Sequence, residues 1–167
     1  MEVLHQDKNI IIVDDYENTT YPDGVFFKVF DARWMESPVA GLYRALFNRN
    51  KSLIQIRNEW YGSRYAAIEP SLTGNVLILG LGLAHLDDYL TTGTSWVWVE
   101  NNQWLVDNVI PVNGTVIQAD AENLELMVDA GAASGGYDTI LVDFAETQIN
   151  DYSSLLAFGG TVIKMQI

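Results

Sequence analysis

Residues 75–86, NVLILGLGLAHL, decide the fold that this sequence predicts. The run NVLIL at Asn75–Leu79 is almost wholly apolar, which is typical of a central strand buried on both faces of a parallel sheet. Gly80 and Gly82 then allow the backbone to turn tightly and to approach a ligand closely. We expect the chain to pass from this turn into a helix around Ala84–Leu90, whose first N–H groups point outward.

Short apolar runs alternate with helical stretches in the residues that follow, as in repeated βα units. Four more strands are predicted, at Ser95–Glu100, Thr115–Gln118, Thr139–Val142 and Thr161–Ile167. The intervening helices are predicted at Gln103–Val109, Glu122–Ala130 and Tyr152–Ala157. Right-handed crossovers place the five strands in one sheet. The predicted fold class is therefore α/β, a doubly wound, mostly parallel Rossmann-like sheet with the strand order 3-2-1-4-5.

The residues before this core are less regular, and we expect them to form a small N-terminal α+β cap. Strands are predicted at Ile10–Val13, Val25–Phe30 and Leu53–Ile56, and helices from Ser37-Pro38 through Leu42–Phe47 and over Asn58–Ile68. Ser37 suits the N-cap of a helix and Pro38 its first position. No obvious linker separates the cap from the core. We therefore predict a single domain over 1–167, with the cap at 1–73 and the core at 74–167.

Composition excludes several classes of protein. The 167 residues contain no Cys, which excludes disulfides, thiol nucleophiles and cysteine-ligated metals, and with two His residues we expect no metal site. The net charge of −13 argues against nucleic-acid and anionic-membrane partners. The longest apolar stretch, Val76–Leu86, is too short to span a bilayer. The first residues, MEVLHQDKN, show no signal peptide, so we expect a cytoplasmic location.

The acidic charge is concentrated in the second half of the chain. Residues 75–167 contain 12 acidic side chains and a single basic one, Lys164. A phosphorylated ligand would depend entirely on backbone N–H groups there, whereas a cationic or neutral ligand is electrostatically favoured. A solvated acidic surface without any ligand would explain the same pattern.

Acidic residues follow the second, third and fourth strands predicted after Gly74. They are Glu100, Asp120 and Asp143. Ligands of open α/β sheets bind at the carboxyl ends of the strands, so these side chains are expected on one rim with Gly80. Glu100 lies 20 residues beyond Gly80, the spacing at which a carboxylate accepts hydrogen bonds from the ribose of a nucleoside. The alternative role for each acid is the N-cap of the helix behind it.

The segments around these strands resemble a known family. NVLILGLGLAHL, SWVWVENNQWLVDNV, GTVIQADAENLE, YDTILVDFAE and AFGGTVIKMQI are similar, in order, to the motifs of class I S-adenosylmethionine-dependent methyltransferases. The resemblance covers residues 75–167 and implies that the chain binds S-adenosylmethionine. It implies that Gly80, Leu81 and Gly82 contact the methionine part of the cofactor and that Glu100 and Asn101 hold the ribose. Asp120 and Ala121 would lie at the adenine, and Asp143 would lie near the sulfonium.

The sequence is similar in particular to the spermidine-synthase-like branch of that superfamily, whose members carry an acidic-aromatic helix before the first strand. Glu59-Trp60-Tyr61 is similar to this feature, and the resemblance places Tyr61 at the substrate. Asp143 and Glu146 are the implied catalytic residues. Asp143 would deprotonate or orient an amine, and the two carboxylates together would suit the two ammonium groups of a diamine. The expected partner is a small-molecule acceptor, an amine or a diamine.

The sequence leaves four functions open. Methyl transfer from S-adenosylmethionine ranks first, ahead of aminopropyl transfer from decarboxylated S-adenosylmethionine. A non-catalytic nucleoside-binding or interaction protein that keeps the fold is the next alternative. A nicotinamide-dinucleotide oxidoreductase ranks last, because His85 stands at the third glycine of the GxGxxG fingerprint.

The last predicted strand, Thr161–Ile167, is expected to form an edge of the sheet. The family's sheet has seven strands, whereas this sequence ends after the fifth. Ile163, Met165 and Ile167 point to one face and a mixed set of side chains to the other, as in a strand covered on one face only. Exposed edges favour pairing with another chain, so we predict a homo-oligomer through this C-terminal edge, which light scattering distinguishes from a monomer.

Overall fold

The computed structural model describes residues 2–18, 41–50, 53–57, 59–91, 95–133 and 135–165. The chain divides into two compact units, Met1–Ala67 and Ile68–Ile167. The first unit is built on an antiparallel sheet and the second on a parallel sheet.

Four antiparallel strands form the sheet of the first unit, in the order β1-β2-β3-β4. They are β1 (Glu2–Gln6), β2 (Ile10–Asn18), β3 (Gly41–Asn48) and β4 (Leu53–Ile56), followed by helix α1 (Glu59–Ile68). Asp7 fixes the turn between β1 and β2, because its Oδ1 accepts hydrogen bonds from the N–H groups of Asn9 and Ile10. The consecutive buried residues Ile10–Val13 indicate that this part of β2 is covered on both faces.

One element of this unit is a strand where the sequence predicts a helix. Leu42–Phe47, predicted as the body of a helix, lies in strand β3. Ala45, Leu46 and Phe47 are buried one after another, and Leu46 pairs with Ile12 of β2. Burial on successive residues is typical of a central strand, which contacts neighbours on both of its faces. The strand predicted at Val25–Phe30 and the N-cap predicted at Ser37-Pro38 lie outside the described residues.

Five parallel strands form the sheet of the second unit, in the order β7-β6-β5-β8-β9. They are β5 (Asn75–Leu79), β6 (Ser95–Glu100), β7 (Thr115–Gln118), β8 (Tyr137–Val142) and β9 (Leu156–Lys164). The helices are α2 (Gln103–Asn108), α3 (Leu124–Asp129) and the short 3-10 helices Glu69–Ser71, His85–Tyr89 and Ser153–Leu155. The central strand β5 is enclosed from Val76 to Leu79, as its apolar run predicts.

The predicted fold class is wrong. The described residues form two separate sheets, one antiparallel with four strands and one parallel with five, instead of a doubly wound Rossmann-like sheet with a small α+β cap. Counted along the chain, the strand order of the parallel sheet is 7-6-5-8-9 and not 3-2-1-4-5, because the four antiparallel strands come first. Helices are few and short, and within the described ranges none is long and apolar enough to cross a membrane.

The helix predicted over Ala84–Leu90 is only the 3-10 helix His85–Tyr89. Ala84 has a left-handed backbone with φ 54°, a conformation that an L-residue does not adopt inside an α-helix. The turn that begins at Gly80 therefore continues through Ala84. The backbone is extended again at Leu90, so no α-helix forms between these points.

Strand β9 begins earlier than predicted and ends the sheet. It covers Leu156–Lys164 instead of Thr161–Ile167, and it shortens the helix predicted over Tyr152–Ala157 to a 3-10 helix. In the described sheet β9 is the outermost strand beside β8, and Phe158 near its start is fully exposed. Pairing of this strand with a second copy of the chain stays a prediction.

A hydrophobic core covers one face of the parallel sheet. Strands β5, β6 and β8, helix α3 and the 3-10 helix Ser153–Leu155 contribute its fully enclosed side chains, which include Leu77, Leu79, Val99, Met127, Ile140 and Leu155. Phe144 packs against the same core just beyond the carboxyl end of β8. The core therefore fixes the start of the loop that follows β8.

Candidate functional site

The glycine turn after β5 lies where the carboxyl ends of three strands meet. Gly80 donates its N–H to the carbonyl of Val99 in β6 at 2.8 Å. On the other side, Asp143 donates its N–H to the carbonyl of Leu79 in β5, also at 2.8 Å. Gly80 has φ 105°, and a Cβ on it would lie 2.4 Å from the carbonyl oxygen of Asp143. Glycine is therefore required at this point, and the turn lies directly against the backbone of Asp143.

Glu100, at the end of β6, reaches the same turn with its carboxylate. Oε1 accepts hydrogen bonds from the N–H groups of Leu81 and Gly82, both at 3.3 Å. Oε2 accepts hydrogen bonds from the N–H groups of Asn101 and Asn102, at 2.9 Å and 3.0 Å. A carboxylate has about four acceptor positions, so each of them has a backbone donor here. The residue predicted to hold a ribose thus lies within hydrogen-bond distance of the predicted methionine-binding turn.

Asp120 and Ala121 follow β7, as the sequence indicates. Asp120 is exposed, and its Oδ1 accepts a hydrogen bond from the N–H of Glu122 at 2.9 Å, whereas Ala121 is buried in the core. The N-cap of α3 is Asn123, whose side chain accepts a hydrogen bond from the N–H of Leu126. Asp120 is therefore a turn residue rather than a helix N-cap, and its adenine contact stays a prediction.

The two carboxylates predicted for catalysis have different surroundings. Asp143 is half-buried beside the glycine turn. Glu146 forms an ion pair with Lys164 of β9 at 2.9 Å. It also accepts hydrogen bonds from the Asn150 side chain at 3.0 Å and from the Tyr152 hydroxyl at 3.4 Å. Glu146 therefore holds the loop after β8 against β9, whereas Asp143 is the residue whose backbone lies next to the turn.

Glu122 belongs to this rim although the sequence did not indicate it. Its Oε1 accepts hydrogen bonds from the N–H groups of Thr147 and Gln148, at 2.7 Å and 3.3 Å. The Thr147 hydroxyl donates to Oε2 at 2.8 Å, and the Asn150 side chain donates to Oε1 at 3.3 Å. We call Glu122, Thr147, Gln148 and Asn150 the clasp. No spacing rule could have found it, because its contacts join residues 25 or more positions apart in two irregular segments.

Hydrogen bonding lowers the pKa of both glutamates in this loop system. The Thr147 hydroxyl is the main cause for the lowered pKa of Glu122. Burial raises the pKa of Glu146, but the hydrogen bond from Asn150 and the ion pair with Lys164 outweigh it and lower the pKa overall. Burial raises the pKa of the Tyr152 hydroxyl far above its usual value, and the nearby Glu146 carboxylate adds to this effect.

We expect the clasp to stabilise the fold at neutral pH and to lose this contribution in acid. A carboxyl group whose pKa is lowered on folding stabilises the folded state above its usual pKa, which is 4.5 for Glu122, and ceases to do so as the pH falls through the lowered value. The free energy of unfolding of wild type should therefore exceed that of Glu122→Gln at neutral pH, with the difference shrinking below this usual pKa. Urea titrations over a pH series measure it, and a difference that is unchanged in strong acid would contradict the assignment.

Tyr61, predicted at the substrate, belongs to helix α1, but its side chain lies outside the described residues. His85, which replaces the third glycine of the fingerprint, is buried with its ring 5.7 Å from that of Tyr89. In the described part of the chain, no group of three or more His, Asp or Glu side chains is arranged to hold a metal ion.

No known family model matches the chain, and no curated protein sequence matches it. Its own residues are therefore the guide to its function.

Proposed function

We propose that the second unit binds S-adenosylmethionine at the carboxyl ends of β5 and β6 and that the protein is a methyltransferase that uses this cofactor. One observation carries the proposal: the Glu100 carboxylate lies within hydrogen-bond distance of the glycine turn at Leu81 and Gly82. The groups that would hold the ribose and the methionine part of the cofactor are thereby adjacent. The resemblance to class I methyltransferases assigns them the same two roles.

The hydrogen bonds of Glu100 indicate which ligand chemistry fits. The two bonds to Oε1 are 3.3 Å long and hence weak, whereas those to Oε2 are 2.9 Å and 3.0 Å. A ligand that displaces the N–H groups of Leu81 and Gly82 has to offer hydroxyl donors to Oε1 and an acceptor to the released N–H groups, because unpaired polar groups cost free energy. A nucleoside with a ribose diol and a carboxylate on its tail meets both requirements. S-adenosylmethionine has both groups, and its decarboxylated form lacks the second.

The surroundings of Glu146 also favour methyl transfer over aminopropyl transfer. A diamine acceptor would use carboxylates for both of its ammonium groups, but Glu146 is already paired with Lys164. Methyl transfer from a sulfonium depends chiefly on in-line positioning, so a single carboxylate, that of Asp143, suffices. In this proposal Asp143 orients or deprotonates one amine of a small-molecule acceptor, and the reaction takes place in the cytoplasm.

A non-catalytic nucleoside-binding protein is the second candidate, and the ion pair of Glu146 favours it too. One of the two carboxylates predicted for catalysis is engaged within the chain, while the cofactor side of the site keeps its residues. Incubation with S-adenosylmethionine and a panel of amines, diamines and small phenols separates the candidates. A bound cofactor without any methylated product would favour the binding protein.

We expect S-adenosylmethionine to bind more tightly than decarboxylated S-adenosylmethionine, 5′-methylthioadenosine or NAD in calorimetric titrations. Loss of the carboxylate leaves the N–H groups of Leu81 and Gly82 without their new acceptor, which should weaken binding by about 1–3 kcal/mol. Decarboxylated S-adenosylmethionine isolates the effect of the carboxylate, because it differs from the full cofactor in that group alone, whereas 5′-methylthioadenosine keeps only the adenine, the ribose diol and a neutral thioether. Tighter binding of NAD than of S-adenosylmethionine would refute the proposed function.

A further inference from the structure

The clasp joins two loops that the sheet keeps apart. Glu122 follows β7 and Thr147 follows β8, and in the sheet β6 and β5 lie between these two strands. Neighbouring strands are about 4.8 Å apart, so the ends of β7 and β8 are separated by roughly 14 Å. The clasp therefore bridges the width of β5 and β6 at the edge of the sheet where their carboxyl ends lie. Those are the strand ends that carry Gly80 and Glu100.

Residues 144–150, which we call the strap, are anchored at their base and exposed in their middle. Phe144 packs against the core, and Glu146 is held by its ion pair to β9. Residues 147–149 are exposed, and Ile149 keeps 96% of its surface open. A segment with few buried apolar contacts and solvent-exposed hydrogen bonds opens locally at a low cost in free energy.

A single carboxylate holds the middle of the strap. Two backbone N–H groups, one hydroxyl and one side-chain amide of the strap donate to Glu122. Loss of this carboxylate removes all four hydrogen bonds, whereas the anchors at Phe144 and Glu146 remain. The strap can therefore open while the second unit stays folded.

We propose that Glu122 is the catch of the strap and that the closed strap retains a ligand bound at Glu100 and the glycine turn. The identity of that ligand rests on the proposed function, but the catch does not. Glu122 is a positioning residue, because it acts on the ligand through the strap. Ligand exchange then requires the hydrogen bonds of the clasp to break, so the strength of the catch sets the rate at which the ligand leaves.

Hydrogen exchange of the ligand-free chain tests the catch. In Glu122→Ala the amide protons of Thr147 and Gln148 should exchange about tenfold faster than in wild type, because loss of their acceptor raises the population of the open strap. Glu125→Ala is the matched control, since it removes an exposed carboxylate from the first turn of α3 without touching the strap. Equal exchange rates in Glu122→Ala and wild type would overturn the proposal.

Ligand release tests the covering role of the strap. The rate constant for dissociation of S-adenosylhomocysteine, measured by stopped flow, should rise about tenfold in Glu122→Ala and stay unchanged in Glu125→Ala. Faster amide exchange with unchanged dissociation would show that the strap does not retain the ligand, and this would also overturn the proposal. If wild type binds no adenosyl ligand, the proposed function fails instead, and the exchange rates alone decide whether Glu122 is a catch.

Discussion

A Gly80→Ala variant is expected to lose about 2–5 kcal/mol of its free energy of unfolding, from backbone strain and steric overlap together. The φ of 105° is one that L-residues rarely adopt, and the new methyl group would lie 2.4 Å from the carbonyl oxygen of Asp143. That oxygen belongs to the residue whose N–H is bonded to Leu79 at the end of β8, so its room to move away is limited. Urea-induced unfolding followed by circular dichroism measures the loss.

Gly159 of β9 provides the matched control for this substitution. It has φ 79°, but no atom lies within 4 Å of the Cβ that alanine would add. Gly159→Ala therefore carries the backbone strain without the steric overlap, and the difference between the two variants isolates the contact with Asp143. Equal losses of stability in the two variants would show that the end of β8 moves away from the added methyl group at no cost in free energy.

A Glu100→Ala variant is expected to bind S-adenosylmethionine more weakly by about 1–3 kcal/mol, because the ribose hydroxyls lose their acceptor. The same change deprives four backbone N–H groups of their acceptor, so the unit should also lose stability. Calorimetric titration measures the affinity, and urea unfolding of the same samples measures the stability. Equal affinity in the two proteins would remove Glu100 from the ligand site.

Two further variants separate the effects of charge and of hydrogen bonding at Glu100. Glu100→Gln keeps the size of the side chain and one acceptor oxygen, but its amide group faces backbone donors that it cannot satisfy. We expect it to lie between wild type and Glu100→Ala in both affinity and stability. Glu125→Ala changes the net charge equally at an exposed position, and its affinity should match that of wild type.

Short apolar runs bounded by turn residues make the strands around the site predictable from sequence. The observed bounds of β5, β6 and β7 match the predicted ones. Leu42–Phe47 could not be assigned in the same way, because a short and largely apolar segment fits a helix and a strand alike. Pairing with β2, which is distant in sequence, decides that it is a strand.

In the site, the positions that follow from strand order could be predicted from the sequence, whereas the contacts between side chains could not. Gly80, Glu100 and Asp143 could be placed together because the carboxyl ends of parallel strands meet at one edge. The clasp could not, since Glu122 finds its partners in an irregular loop beyond another strand. The left-handed backbone of Ala84 was also unpredictable, because an alanine in that position normally favours a helix.

The ion pair between Glu146 and Lys164 takes up the single basic side chain of residues 75–167, a segment with 12 acidic ones. The remaining carboxylates give this part of the molecule a negative electrostatic potential. In the proposed reaction the cofactor arrives as a positively charged sulfonium and leaves as a thioether that has lost this charge. The negative potential therefore attracts the charged cofactor more strongly than the product that has lost the charge, and this counteracts product inhibition. Dissolved salt screens the potential and so reduces the difference in attraction.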